Sequence, residues 1–338
     1  MTNLANLPKS SRTEFTSAIN QICAERGISP AAILETLKAA LVAAYRKDFG
    51  ANEELEYEVI LDEITGSAKI LEYHKDKPEA KKDVTPAGFG RIAAQTAKQV
   101  ILQKIREAEK DAIITEYQDK VGSLVSGMVL RFDTQAIIVD IGRGQALMPQ
   151  EEQGSAEHYH LNQRLTLYIK SISETPKGKQ IIVSRADPQL VIQLFKREVP
   201  EVNSGAVEIK VIAREAGSRT KVAAASTQAG VDPVGSCVGQ KGVRVQAVIN
   251  ELGGEKLDII EYSEDIAKFI TAALQPAEHL EIKLNEKKKE AKVTVPEDQL
   301  SLAIGRDGQN ARLAAKLTGW KITLNDGKPK KTKTSKKE

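Results

Sequence analysis

The chain has 338 residues, which at roughly 100–200 residues per domain suggests two to four domains. Hydrophobic residues make up 41%, charged residues 28% and aromatics only 4%, so an ordinary folded protein with several small aliphatic cores fits better than one large aromatic core. The 49 basic and 46 acidic residues leave +3, which neither announces a nucleic-acid binder nor excludes one, because charge can be local. Cys23 and Cys237 lie too far apart in sequence to suggest a disulfide framework. No apolar run approaches the roughly 18 residues of a membrane span, and MTNLANLPKSSRTEF lacks the pattern of a secretory leader. The expected setting is the cytoplasm, away from membranes.

Phe15, Ile19 and Ile22 recur at helical spacing and predict a helix over 10–26, stopped by Gly27. Ser29 and Pro30 open a second helix, which runs through Ile33, Leu37, Leu41 and Ala44 to about Gly50. YEVIL (57–61) and AKILEY (68–73) read as strands joined by a loop at Gly66, and a charged loop is expected after them. Thr85-Pro86 then opens a helix over about 89–118, some 45 Å long at 1.5 Å per residue. The polar faces of this helix and of 30–47 both suit a partner or plain solvation.

From 122 to 186 the pattern changes to five short strands separated by turn residues, as in a small closed barrel such as an OB-fold. Half of a sandwich shares that pattern. Residues 187–262 and 263–325 then repeat one order of elements, α-β-β-α-α-β. Residues 326–338 are Lys-rich and without apolar content, so they are expected to be disordered, serving either RNA affinity or solubility.

Each repeat carries Gly-x-x-Gly between its inner helices: Gly239-Gln240-Lys241-Gly242 and Gly305-Arg306-Asp307-Gly308. With 23 glycines in the chain, two such pairs alone mean little. Their context carries the information, since they stand 66 residues apart at the same place in a duplicated unit. Glycine lets a sugar-phosphate backbone approach without a Cβ in the way, and the following helix offers free N–H groups and a positive dipole end. Lys241 and Arg306 add charge inside the loops, and Arg244 and Arg312 lie just beyond. A KH module uses such a loop to clamp single-stranded nucleic acid. The competing reading is a helix-turn-helix whose glycines only make a tight turn.

LFKREVPEVNSGAVEIKVIAREAGSRTKVAAAS (194–226), DPVGSCVGQKGVRVQAVINELGGEKLDII (232–260), DQLSLAIGRDGQNARLAAKLTGWKI (298–322), FGRIAAQTAKQVILQKIREAE (89–109) and VSGMVLRFDTQAIIVDIGRGQALMPQEEQ (125–153) together resemble the bacterial NusA family of transcription factors. The resemblance runs over most of the chain and is weakest before residue 85. It implies a multidomain α+β protein: an α/β N-terminal domain with a long helix (1–121), an OB-fold β-barrel of the ribosomal-protein-S-one type (122–186), two tandem KH domains (187–262 and 263–325) and the tail (326–338). It also implies a non-enzymatic, monomeric elongation factor without cofactor. Such a factor binds RNA polymerase through its N-terminal domain and nascent single-stranded RNA through its other modules, and modulates pausing, termination and antitermination, with other elongation or antitermination factors as further expected partners. Some members carry further C-terminal repeats, and roles resting on those are not expected of this tail. A general single-stranded RNA-binding protein of RNA decay or ribosome maturation is the alternative, although it would not need the N-terminal domain. Asp307 beside Arg306 partly cancels the second loop's charge, so the first loop is expected to hold phosphate more strongly.

Other motifs are weaker. Phe132, His158, Tyr159 and His160 could form a stacking platform on the barrel, or be core and loop surface, and Arg131 and Arg143 could touch the RNA backbone. Gly88-Phe89-Gly90-Arg91-Ile92-Ala93 matches a dinucleotide pattern, but no hydrophobic strand leads into it, so an enzyme resting on it is not expected. His158 and His160 have no third ligand nearby in sequence, so no metal is expected. Cys237 reads as a small core residue.

Overall fold

The computed structural model describes residues 20–21, 23–25, 29–50, 52, 54–62, 67–134, 136–175 and 178–326. Most of the helix expected over 10–26, the Gly66 loop and nearly all of the Lys-rich tail lie outside these residues. The chain divides into two compact units between Glu116 and Tyr117.

In the first unit, α1 (Pro30–Phe49) buries Ile33, Leu37, Leu41 and Tyr45, one face at helical spacing. Ser29 sits at its N-cap position in extended conformation but makes no side-chain capping bond; Pro30 supplies the fixed φ of the first turn. β1 (Leu55–Leu61) and β2 (Ala68–His74) pair antiparallel, with Val59 opposite Ile70. Tyr45 stacks on Phe49 with ring centroids 5.3 Å apart, lies tilted against Tyr57 at 5.2 Å and meets Phe89 edge-on at 6.3 Å. Few aromatics are present, and several of them gather here.

The segment expected as a charged loop is instead a strand, β3 (Lys77–Asp83), with every residue exposed. It pairs antiparallel with β2, making the sheet order β1-β2-β3. Strand pairing is made by the backbone, so KPEAKKD needs no apolar face to join an edge. Lys81 pairs with Glu58 and Lys82 with Glu72 across the sheet. Charged residues, lysine above all, are what an edge strand carries to discourage pairing with other chains. The long helix α2 (Phe89–Gln118) follows; it buries Phe89, Ala93, Ala97 and Val100 against the sheet and α1.

The second unit begins with a closed five-stranded barrel, order β4-β5-β6-β8-β7, formed by Leu124–Asp133, Ala136–Asp140, Gln145–Pro149, Arg164–Thr175 and Gly178–Ser184 as β4, β5, β6, β7 and β8. Alternate residues point inward: Val129, Ile137, Val139, Met148, Leu167, Ile169, Ile181 and Val183 are all buried. Tyr117, the first residue of this unit, donates from its hydroxyl to the Ile141 carbonyl at 2.7 Å.

The first repeat comprises α3 (Pro188–Glu198), the short α4 (Pro200–Asn203), β9 (Val207–Glu215), β10 (Arg219–Ser226), α5 (Pro233–Val238), α6 (Val243–Glu251) and β11 (Lys256–Glu261). β10 is central, antiparallel to β9 and parallel to β11. The second repeat comprises α7 (Ile266–Ala273), β12 (Glu281–Asn285), β13 (Glu290–Val295), α8 (Leu300–Ile304), α9 (Gln309–Thr318) and β14 (Lys321–Asp326), with the same pairing around β13.

β10 explains how the repeats join. Val222 and Ala224 face the first repeat's own helices, packing with Leu194, Phe195, Cys237 and Val248. Ala223, on the opposite face, belongs with Ala213 and Ile260 to a core completed by Phe269, Ile270, Leu313 and Leu317 of the second repeat. A strand that feeds two cores is buried on both faces, and its alanines let helices approach closely. By contrast, β13 alternates buried and open positions, as expected of a sheet with one covered face.

Candidate nucleic-acid interface

The two glycine loops have the same backbone. Gly239 and Gly305 have φ, ψ of 75°, 173° and 74°, 173°. Lys241 and Asp307, both at φ 52°, occupy the left-handed region, and Gly242 and Gly308 follow at φ 77° and 74°. The first glycine of each loop lies against the side chain five residues on: a Cβ would stand 2.7 Å from Arg244 Cγ at Gly239 and 2.7 Å from Asn310 Cβ at Gly305.

The loops then open α6 and α9, of nine and ten residues, whose first turns carry no side-chain cap from the loop glycines. Helix N–H groups left without a side-chain cap, with the positive dipole end behind them, suit an anion. Gln240, Lys241, Arg306 and Asp307 are exposed, with the Arg306 side chain 95% open. Val243, at the start of α6, is 69% exposed; Leu302 and Ile304 are exposed on α8 just before the second loop. Uncapped helix N–H groups thus adjoin open apolar side chains.

Arg244 and Arg312 sit in different places. Position 244 corresponds, 66 residues on, to Asn310. Arg244 Nη1 donates to the Ser236 carbonyl at 2.7 Å and to Glu201 at 2.8 Å. Asn310, buried, donates from Nδ2 to the carbonyls of Leu302, Ala303 and Leu274 at 3.0, 3.2 and 3.0 Å. Each side chain therefore ties the short helix before the loop to the helix after it. Arg312 instead corresponds to Gln246; it lies against Glu215 of the first repeat and donates to the Asp307 carbonyl.

On the barrel, Phe132 is half exposed at the end of β4, and so is not core. Arg131 and Arg143 are also exposed, as are His158 and His160. Tyr159 is half-buried, and its hydroxyl receives the Gly154 N–H at 2.8 Å and donates to Glu157 at 2.6 Å. Burial, with Glu157 beside it, raises the Tyr159 hydroxyl well above its ordinary value. Phe132 and residues 158–160 lie on different elements, β4 and the segment before β7.

Sequence reasoning missed the joints that position these loops. Arg185, almost wholly buried, donates from Nε to Glu157 at 3.0 Å, from Nη1 to the Thr166 carbonyl at 2.9 Å and from Nη2 to the Glu251 carbonyl at 3.1 Å, tying barrel to first repeat. Lys221 reaches Asp258 at 3.1 Å and the Gln275 carbonyl of the second repeat at 3.2 Å. Burial pulls the Lys221 ammonium below its ordinary value, more than Asp258 restores. For Lys221 the signal was a lysine leading into the small apolar run Val222 to Ala225 of RTKVAAAS.

Among the described residues no group of three or more His, Cys, Asp or Glu could hold a metal ion, and no helix is long and apolar enough to cross a membrane. Cys237 is buried, and burial pushes its thiol up to about 11.

Residues 185–262 match the NusA-like first KH domain, residues 266–332 the NusA-like second KH domain, and residues 14–76 and 74–111 the NusA N-terminal domain. The chain is 44% identical over 337 residues to the transcription termination/antitermination protein NusA of Bacillus subtilis, covering 92% of this chain and 90% of the relative. It is 40% identical over 347 residues to that of Thermus thermophilus, covering 93% and 90%. The solution structure of the N-terminal domain of NusA from B. subtilis is 36% identical, with a TM-score of 0.25, covering 30% of this chain and 98% of that one.

Proposed function

This chain belongs to the NusA family of transcription termination/antitermination proteins, and from that premise we propose that its two KH loops clamp nascent RNA while its N-terminal domain docks on RNA polymerase. The observation that carries the RNA half is the pair of loops with one backbone conformation, each open to solvent and each leading into a helix start free of side-chain caps. Gly239, Gln240, Lys241 and Gly242, and Gly305, Arg306, Asp307 and Gly308, would receive the sugar-phosphate backbone. Bases would lie toward Val243 in the first module and toward Leu302 and Ile304 in the second. Arg131, Phe132 and Arg143 extend the candidate surface onto the barrel.

The polymerase half rests on the N-terminal match and on the family's role in termination and antitermination. Residues 1–121 are the docking domain in this reading, and the protein acts in the cytoplasm as a monomer. No catalytic step is part of it. RNA retention beside polymerase would change how long elongation complexes pause.

The test replaces Gln240-Lys241 and Arg306 with Asp in the full chain and titrates labelled single-stranded RNA. Each replaced cation removes a phosphate partner and adds repulsion, so affinity is expected to fall at least about tenfold with an unchanged melting curve. Unchanged affinity in the folded variant would refute the clamp. On purified polymerase, the wild-type chain should change pause duration and the variant should do so less; no effect of the wild type would refute the transcriptional half.

A further inference from the structure

One cation beside the second loop, Arg312, is already engaged. Arg312 projects from the first turn of α9 and crosses to the first KH module, where Nε lies 3.1 Å from Glu215 Oε1 and Nη2 lies 3.4 Å from Oε2. Gln309, which opens the same helix, donates from Nε2 to Glu215 Oε2 and to Ser218 Oγ, each at 2.8 Å. One carboxylate thus collects a guanidinium and an amide at the N-terminal end of a helix. Forked cation, amide donor and helix start form the donor set that holds a phosphate oxygen pair. Burial would raise the Glu215 carboxyl, but Gln309 and Arg312 hold it below its ordinary value, as they would any anion placed there.

The surroundings have the same character. Glu215 and its partners line a cleft shared with Ser155 of the barrel, Ser218, and the exposed Arg306 and Lys316. The turn that bears Glu215 is pinned. Buried Glu255 accepts from the Gly217 N–H at 2.7 Å and from Arg214 at 2.9 Å, and Ser155 Oγ donates to the Ala216 carbonyl at 2.9 Å. The turn is therefore fixed by contacts that do not involve the Glu215 side chain, which is itself 24% exposed. The first loop has no such arrangement. The residues 66 positions before Gln309 and Arg312 are the open Val243 and Gln246, and Gln246 donates to Asn250 of its own helix at 2.9 Å.

We propose that this cleft is a phosphate site for the RNA strand passing the second loop, and that Glu215 fills it until a phosphate displaces the carboxylate from Gln309 and Arg312. The proposal rests on the RNA-binding reading of the loops. Its consequence is that the first loop is open and the second guarded. Binding at the second loop exchanges one anion for another, so Arg312 adds little net charge to the encounter.

The experiment uses the full chain and labelled single-stranded RNA of mixed sequence, titrated at several salt concentrations, for wild type, Glu215→Gln, Glu215→Ala and Glu215→Ala/Arg312→Ala. Glu215→Gln keeps the shape of the contact and guards against a folding failure of the alanine variant. Release of one exposed ion pair is expected to tighten RNA binding about two- to fivefold at low salt. Arg312, once free, should also steepen the slope of log affinity against log salt by about 0.7. Both gains should vanish in the double variant. Unchanged or weaker binding by folded Glu215→Gln, with an unaltered slope, overturns the proposal. Wild-type protein that fails to bind RNA, or loop variants that bind as well as wild type, would instead overturn the reading on which it rests.

Discussion

A Cβ at Gly305 would stand 2.7 Å from the Cβ and 2.8 Å from the backbone nitrogen of Asn310, neither of which can swing aside. Gly242 shares the positive φ, but a Cβ there would find only Val245 Cγ1, at 3.8 Å. Gly305→Ala should therefore cost about 3 kcal/mol, from clash and left-handed backbone together, and Gly242→Ala about 1 kcal/mol from the backbone alone. Equal costs in denaturant unfolding would show that Asn310 yields. The equivalence of Arg244 with Asn310 belongs to the same scale. An arginine near a glycine loop invites a phosphate-binding reading, yet its counterpart in the other repeat is an uncharged residue doing the same structural work. Comparing the two copies position by position, rather than by nearest charge, separates the roles.

At the scale of elements, the barrel closes around Gly127 in β4, where a Cβ would meet Val139 Cγ1 at 2.5 Å and Leu167 Cδ1 at 2.9 Å. Gly127→Ala overpacks the core and should destabilise the second unit by about 2 kcal/mol, read as a lowered melting temperature. A neutral result would mean that the barrel widens without cost. Amphipathic helices and apolar strands were legible in the sequence because burial writes a period: 3.6 in α1 and α3, and 2 in the barrel strands. β3 was not legible, since its pairing is backbone hydrogen bonding and its side chains never enter a core. The glycine loops were legible because duplication marked them. Glu215 and Arg185 were not, because their partners lie 97 and 28 residues away and ordinary surface charges look the same in a string of letters.

For the second unit as a whole, charges buried at joints bind the modules together. Arg185→Ala takes the guanidinium away from two carbonyls and from Glu157, which keeps the Tyr159 hydroxyl, and should cost about 3 kcal/mol. It should also make the barrel's link to the first KH domain sensitive to protease in the full chain. Melting within 1 °C of wild type, with no new cleavage, would refute that role. Burial would raise the Asp258 carboxyl, but Arg219 and Lys221 outweigh it and hold the carboxyl below its ordinary 3.8. A folded value below the unfolded one gives stability that is full above about pH 4 and lost as pH falls through the lower folded value. Unfolding free energies measured from pH 6 downward should show that loss, and Asp258→Asn should flatten it. An identical slope in the variant would assign the loss to other carboxylates.

The core shared across β10 has a last consequence. Because Ala223 and Ile260 of the first KH domain lie in one packed cluster with Phe269, Leu313 and Leu317 of the second, the two glycine loops are mounted at a set separation, like the jaws of a fixed gauge. A strand held by both jaws must span that gap with its own length. Nucleotides added between its two held stretches have to bulge outward, and nucleotides removed leave one jaw empty. Spacing along the transcript, as much as base identity, would then decide which RNAs the protein holds.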